Sequence, residues 1–147
     1  MRLTRYTDYS LRVLIHLALH DERLCSIGEI SRTYEISHNH LMKVVNALAR
    51  EGFVETVRGR TGGMRLARPA GRIGVGEVVR HTEEGFQLAD CSGCALSPAC
   101  GLTGVLAEGV QAMLAVFDSY TIADLITDRD TMRRLMNRQS PLGIGIP

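Results

Sequence analysis

Apolar positions along the first half of the chain fall into regular patterns. Between about residues 8 and 20, Leu11, Leu14, Ile15, Ala18 and Leu19 recur at helical spacing. Ser26-Ile27-Gly28-Glu29 has the form of a capping box, in which a hydroxyl and a carboxylate satisfy free backbone donors at a helix start. It predicts a short helix to about Tyr34. Ser37 is a second N-cap. It opens a longer helix that buries Leu41, Val44, Val45 and Leu48 and stops at Gly52, a favoured C-terminal residue. Two helices joined by a turn of about four residues make a helix-turn-helix. Residues 53–57 then alternate as a strand, 58–63 form a turn, and 64–66 return as a second strand. Helices followed by a hairpin with arginines at its tip predict a winged helix. A further short helix is expected around 75–82.

The second half has a different rhythm. Leu106, Val110, Met113, Phe117 and Tyr120 step by four, three, four and three residues, a heptad seam that favours packing against another long helix. We expect a dimerisation helix over about 101–120 with this seam as the dimer interface. An ordinary amphipathic helix on its own domain is the alternative. Thr121 and Asp124 resemble another capping box, for a short C-terminal helix, and residues 140–147 are expected to be loose. The fold class is therefore mainly α with a small β-hairpin. Residues 1–72 form the winged helix-turn-helix, 73–100 a linker helix and cysteine loop, 101–128 the dimerisation helix and a following short helix, and 129–147 a C-terminal segment.

Charge divides along the same line. Residues 1–72 carry twelve Lys+Arg against seven Asp+Glu, whereas 73–147 carry five against nine, so +5 and −4 give the chain's net charge of +1. Sixteen of the seventeen basic residues are Arg, suited to paired contacts with phosphates and bases. A basic first half suggests a nucleic-acid module joined to something else. No apolar run approaches a membrane span, and the start MRLTRYTDYS lacks the apolar stretch of a secretory signal, so a cytoplasmic protein with no membrane partner is expected.

Candidate DNA contacts follow from the winged-helix pattern. Ser37, His38, Asn39, His40, Lys43 and Asn46 lie on the polar side of the second helix of the motif, whose first turns would meet base edges in the major groove. A solvated polar face is the bland reading of the same residues. Arg58, Gly59, Arg60 and Thr61 form a slim tip suited to a narrow minor groove. Taken in this order, helix and hairpin favour double-stranded DNA.

Three of the four cysteines, Cys91, Cys94 and Cys100, follow the pattern C-x2-C-x5-C. Thiolates so close together bind soft or borderline metals. Three is one short of the four usual for an iron–sulfur cluster, so another ligand must complete it. Zinc and a redox-active thiol pair are the alternatives. Cys25 reads as a buried small apolar residue. Neither a Ser/His/Asp arrangement nor a phosphate loop accompanies the cysteines, and an enzyme is not expected.

The segments MRLTRYTDYSLRVLIHLA and ISHNHLMKVVNALAREGFVETVRGRTGGMRLARPA, the three cysteines and Tyr120-Thr121-Ile122-Ala123-Asp124-Leu125 resemble the NsrR-type nitric-oxide-sensing repressors. These belong to the iron–sulfur winged-helix regulators that include IscR and RirA. The resemblance covers the chain to about Asp128. It implies a homodimer on a palindromic operator, with a 4Fe–4S cluster on Cys91, Cys94 and Cys100 and a fourth ligand, Asp8, from the partner subunit. Arg12, one turn after Asp8, has the spacing of a carboxylate partner. Without the resemblance, Asp8 is a first-turn acid favoured by the helix dipole.

Two departures bear on the cluster. The first cysteine gap is shorter than in NsrR-type proteins, which leaves 2Fe–2S or zinc open. IscR-type proteins use a histidine where this chain has Thr103. The implied switch has the cluster bracing the loop and, through Asp8, the other chain's DNA-binding domain. Nitric oxide would release that brace and shift the wings from the operator. Iron limitation or oxidants are alternative signals.

Overall fold

The computed structural model describes residues 2–97 and 99–139. The elements in chain order are α1 (Arg5–Leu19), α2 (Ile27–Tyr34), α3 (His38–Arg50), β1 (Val54–Val57), β2 (Gly63–Leu66), α4 (Val75–Thr82), α5 (Leu102–Asp118) and α6 (Arg129–Gln139), with single 3₁₀ turns at Ala70–Arg72 and Ala123–Leu125. This is the mainly α fold with a small hairpin that the apolar spacing predicts.

Helix α1 is the central rod. Its buried face of Val13, Leu14, Leu17 and Ala18 meets Leu41, Val44, Val45 and Leu48 of α3 and Val78 and Val79 of α4. The same cluster takes in Ile30 of α2, Phe53, Met64 of the hairpin and Val110 and Leu114 of α5. Each fully buried Leu or Phe removes enough apolar surface to stabilise the fold by roughly 1.5–3 kcal/mol.

The helix ends explain where the elements stop. Thr4 caps α1 by accepting from the Thr7 amide at 3.2 Å. Helix α3 ends in paired bonds from Phe53 N to Leu48 O at 2.9 Å and from Gly52 N to Ala49 O at 3.2 Å, the Schellman pattern. Ser37 stands at the α3 N-cap position, but its side chain makes no capping bond. Ser26 caps α2 through the Glu29 amide at 3.1 Å. The reciprocal half of that capping box is missing, because the Glu29 carboxylate turns to Arg23 and His16. A charge-assisted bond to a guanidinium outcompetes one to a neutral amide.

The hairpin is antiparallel, pairing Val54 with Leu66, Glu55 with Arg65, Thr56 with Met64 and Val57 with Gly63. At its tip a Cβ on Gly62 would meet the Val57 carbonyl oxygen at 2.2 Å, so the turn has room only for glycine there. Beyond the wing, Val75 N donates to Tyr120 O and Ile122 N to Ile73 O, both at 2.9 Å, fastening the end of α5 to the start of α4. Arg80 and Asp118 add a two-bond ion pair, at 2.5 and 2.6 Å.

Two features differ from the sequence expectation. Thr121 and Asp124 do bond reciprocally, with Asp124 Oδ2 accepting from Thr121 N at 2.7 Å, but they cap only the 3₁₀ turn. The longer α6 follows it. Arg133 Nε donates to the Leu19 carbonyl at 2.8 Å and Arg129 Nη1 to the same oxygen at 3.2 Å, closing the C-terminus of α1. The tail at 140–147 lies outside the described residues.

Candidate nucleic-acid interface and cysteine loop

The polar residues singled out on α3 and the hairpin all reach solvent. Ser37, His38, Asn39, His40, Lys43 and Asn46 are exposed, while Leu41, Val44, Val45 and Leu48 on the opposite side are buried. Periodicity thus leaves one face of α3 for the core and one for an external ligand. Arg58, Gly59, Arg60 and Thr61 are exposed at the hairpin tip. Below the tip, Arg65 is engaged with Glu55 across the strands at 3.0 Å. Arg68 is paired with Glu77 at 2.6 Å. Neither Arg58 nor Arg60 has an acidic partner among the described residues, which leaves both guanidinium groups for an anion.

The cysteine loop is built differently. Between α4 and α5 the chain makes isolated turns, with Cys94 N donating to Cys91 O at 3.3 Å and Ser97 N to Cys94 O at 3.1 Å. Asp90 opens the loop by accepting from the Ser92 amide at 3.0 Å and hydroxyl at 2.6 Å, bonds that hold its carboxyl below the usual range. Cys91 is half-buried; Cys94 and Cys100 are exposed. Cys91 and Thr103 face a cavity of about 450 Å³, also lined by Phe86, Leu106 and Val110. Among the described residues, the three thiols are not drawn to the spacing of ligands on one ion. As a donor set, three cysteines within ten residues, one of them lining the cavity, fit the soft thiolate ligands of an iron–sulfur cluster.

Asp8 lies in the first turn of α1, 45% exposed, and its Oδ1 accepts from Arg12 Nε at 2.9 Å. The Arg12 guanidinium carbon lies 5.9 Å from the centre of the Tyr34 ring. The same helix end is tied to the approach to the cysteine loop. Glu83, just after α4, accepts from Thr4 N at 2.8 Å, from Thr4 Oγ1 at 3.1 Å and from Thr7 Oγ1. A carboxylate at a helix N-terminus is favoured by the exposed amides.

On α5, Val110 is buried and Met113 and Phe117 pack against this chain's own core, while Leu106 is half-buried and Tyr120 exposed. Most of the heptad seam read from the sequence therefore faces inward. The solvent-facing apolar residues of α5 include Leu102, Val105 and Val116, with Gly109 and Ala112 between them. They form a second seam, rotated around the helix from the first. Sequence reasoning also missed a group formed by His16, His20, Cys25 and Glu29. The available signal was two histidines four residues apart, on one helix face, with a cysteine five residues on.

Among the described residues no helix is long and apolar enough to cross a membrane. The profile of the Rrf2 family, described as iron-dependent transcriptional regulator, matches residues 3–128. The HTH-type transcriptional regulator NsrR of Bacillus licheniformis is 49% identical over 143 residues, covering 93% of this chain and all of the relative. That of Bacillus subtilis is also 49% identical, over 92% of this chain and 97% of its own. Among solved structures, T. potens IscR superposes with a TM-score of 0.74 at 26% identity, covering 90% of this chain and 91% of that one. Staphylococcus aureus CymR in its oxidised form shares the fold, with a TM-score of 0.73 at 24% identity over 87% and 98% of the two chains. These relatives are transcriptional regulators, not enzymes. With its winged helix, an exposed polar face on α3 and a family match spanning most of its length, the chain belongs to the Rrf2 family of DNA-binding transcriptional regulators.

Proposed function

We propose that the protein is a homodimeric repressor that senses nitric oxide through an iron–sulfur cluster, most simply 4Fe–4S. Its ligands are Cys91, Cys94 and Cys100 of one subunit and Asp8 of the partner subunit. The observation that carries this reading is the setting of the three thiols. They sit outside the core, on a loop with few bonds of its own, immediately before a helix that keeps an apolar seam in solvent. An iron-dependent family and relatives named NsrR support it.

Cys91, Cys94 and Cys100 hold the group, and Arg12 orients the Asp8 carboxylate by occupying Oδ1. When bound, the cluster supplies iron centres open to nitric oxide. The seam Leu102, Val105 and Val116, with Tyr120 just beyond the helix, pairs α5 with its copy, with Gly109 and Ala112 allowing close approach. Two copies present two recognition helices, two wings and hence two half-sites on a palindromic operator. Residues 1–72 then act as the DNA-binding unit, 73–100 as the sensor and 101–128 as the dimerising unit. The place of work is the cytoplasm.

Oxygen-free purification tests the reading. Wild-type protein should be brown, with iron and sulfide, and a dimer by light scattering. The Cys91→Ser, Cys94→Ser, Cys100→Ser triple variant should be colourless and still folded. A wild-type protein that carries zinc and no sulfide would replace the cluster by a structural ion.

A further inference from the structure

A second group of metal-ligating side chains lies away from the cysteine loop, where α1, the following loop and α2 meet. His16 and His20 come from the end of α1, Cys25 from the loop and Glu29 from the first turn of α2. One ligand atom from each lies within 4.8 Å of all the others. Cys25 is fully buried and the His16 side chain is 1% exposed. The two imidazole rings are 4.7 Å apart.

The local bonding is unusual for a site that only fills space. His16 Nε2 lies 3.3 Å from Glu29 Oε1, while its Nδ1 is buried without a hydrogen-bond partner. An unsatisfied buried polar atom costs of order 1–3 kcal/mol, which an apolar residue here would not incur. Glu29 has also left its place in the capping box, and its carboxylate is aimed into the group.

We propose that His16, His20, Cys25 and Glu29 form a binding site for one divalent transition-metal ion, with zinc as the best match. Two imidazoles, a thiolate and a carboxylate are a four-coordinate donor set of borderline softness. Two neutral imidazoles and two anionic ligands offset the +2 charge of the ion, which a buried site requires. On binding, the Cys25 S–H bond breaks, its proton leaves to solvent, and the sulfur electron pair is donated to the metal; nothing is oxidised or reduced. Arg23 draws on both oxygens of Glu29, at 2.5 and 3.0 Å, and gives up one of those bonds to the ion.

Its position gives the site a consequence for the wing. Cys25 N donates to Met64 O at 2.9 Å and Met64 N to Cys25 O at 2.8 Å, so the ligand loop forms a bridge with β2. An ion here ties the end of α1 and the start of α2 to the root of the hairpin. It acts independently of Cys91, Cys94 and Cys100.

The test uses full-length protein carrying Cys91→Ser, Cys94→Ser and Cys100→Ser, stripped with a chelator and titrated with cobalt(II) or zinc. One cobalt per chain should bind, with the strong visible absorption of four-coordinate cobalt and a thiolate-to-metal band in the near ultraviolet. Zinc should raise Tm. His20→Ala, at a half-exposed helix end, should keep the circular dichroism spectrum and weaken cobalt binding at least ~10-fold. Cys25→Ser should abolish the thiolate band. If that core variant does not fold, Glu29→Gln together with His20→Ala decides the matter. A folded triple-serine protein that binds no cobalt with these bands, or a His20→Ala protein that binds it equally well, would overturn the proposal.

Discussion

Cys25 lies within the core, bridged to Met64 on the wing, and burial pushes its thiol up to about 11. Cys94 and Cys100 stand in solvent on a loop carried by isolated turns. The contrast extends to the surrounding structure. Around Cys25, α1, α2 and the hairpin close on one another, with His16, His20 and Glu29 drawn to within 4.8 Å of the thiol. Around Cys91, the chain brings exposed thiols, an open cavity and an apolar face of α5 to the surface. The donors around Cys25 are gathered by the core, whereas those of the 91–100 loop are held only by local turns.

Substitutions in the two regions should have opposite consequences for metal content and stability. The largest effect belongs to the loop. Replacing Cys91, Cys94 and Cys100 together by Ser should remove essentially all bound iron, yet shift stability by no more than ~0.5 kcal/mol per exposed site in the metal-free protein, by urea titration. In the core the order reverses. Leu41→Ala, at a position with no exposure, should cost about 2–5 kcal/mol in the same titration.

The third prediction concerns pH in chelator-treated protein. The folded state lowers the His16 value from 6.5 to about 4, so between those limits the unfolded chain binds more protons. Stability from this group is complete above pH 6.5 and is lost as pH falls through 4, to a total of about 3 kcal/mol. Glu29, held down to about 2 by Arg23, adds a further loss below pH 4.5. His16→Gln should flatten the slope between pH 6.5 and 4, measured by urea midpoints across that range. The smallest effect is at the wing. Arg58→Ala with Arg60→Ala should leave Tm unchanged and reduce the salt slope of DNA binding by up to about 2. An unchanged slope removes the hairpin tip from the interface.

Much of the winged helix was legible in the sequence because its elements bury one face each. Leu41, Val44, Val45 and Leu48 recur at the helical period, and the 53–57 stretch alternates before the Gly-rich turn. Helix α6 was not legible, since RDTMRRLMNRQ has no broad apolar stripe. It is held by Arg129 and Arg133 on the Leu19 carbonyl, a tertiary contact that no local pattern announces. Helix α5 was ambiguous for the opposite reason. It is apolar around much of its circumference, so two seams at heptad spacing coexist, and only packing against α4 selects Val110, Met113 and Phe117 as the inner one.

The candidate sites divide in the same way. Exposure of the α3 face and the wing tip followed from periodicity. The cysteine spacing and the resemblance pointed to the loop, and Asp8 entered through the resemblance alone. The group at His16 stayed hidden because Glu29 read as half of a capping box. Its diversion depends on Arg23 and His16, six and thirteen residues earlier in the chain, which only the fold brings to the carboxylate.

In the proposed switch the cysteine loop controls the wings. The most direct measurement is operator affinity of one oxygen-free, iron-loaded sample before and after nitric oxide, with Asp8→Ala alongside. Affinity should fall at least ~10-fold on exposure, and Asp8→Ala should begin near the weakened value. Equal affinity in all three states would contradict it.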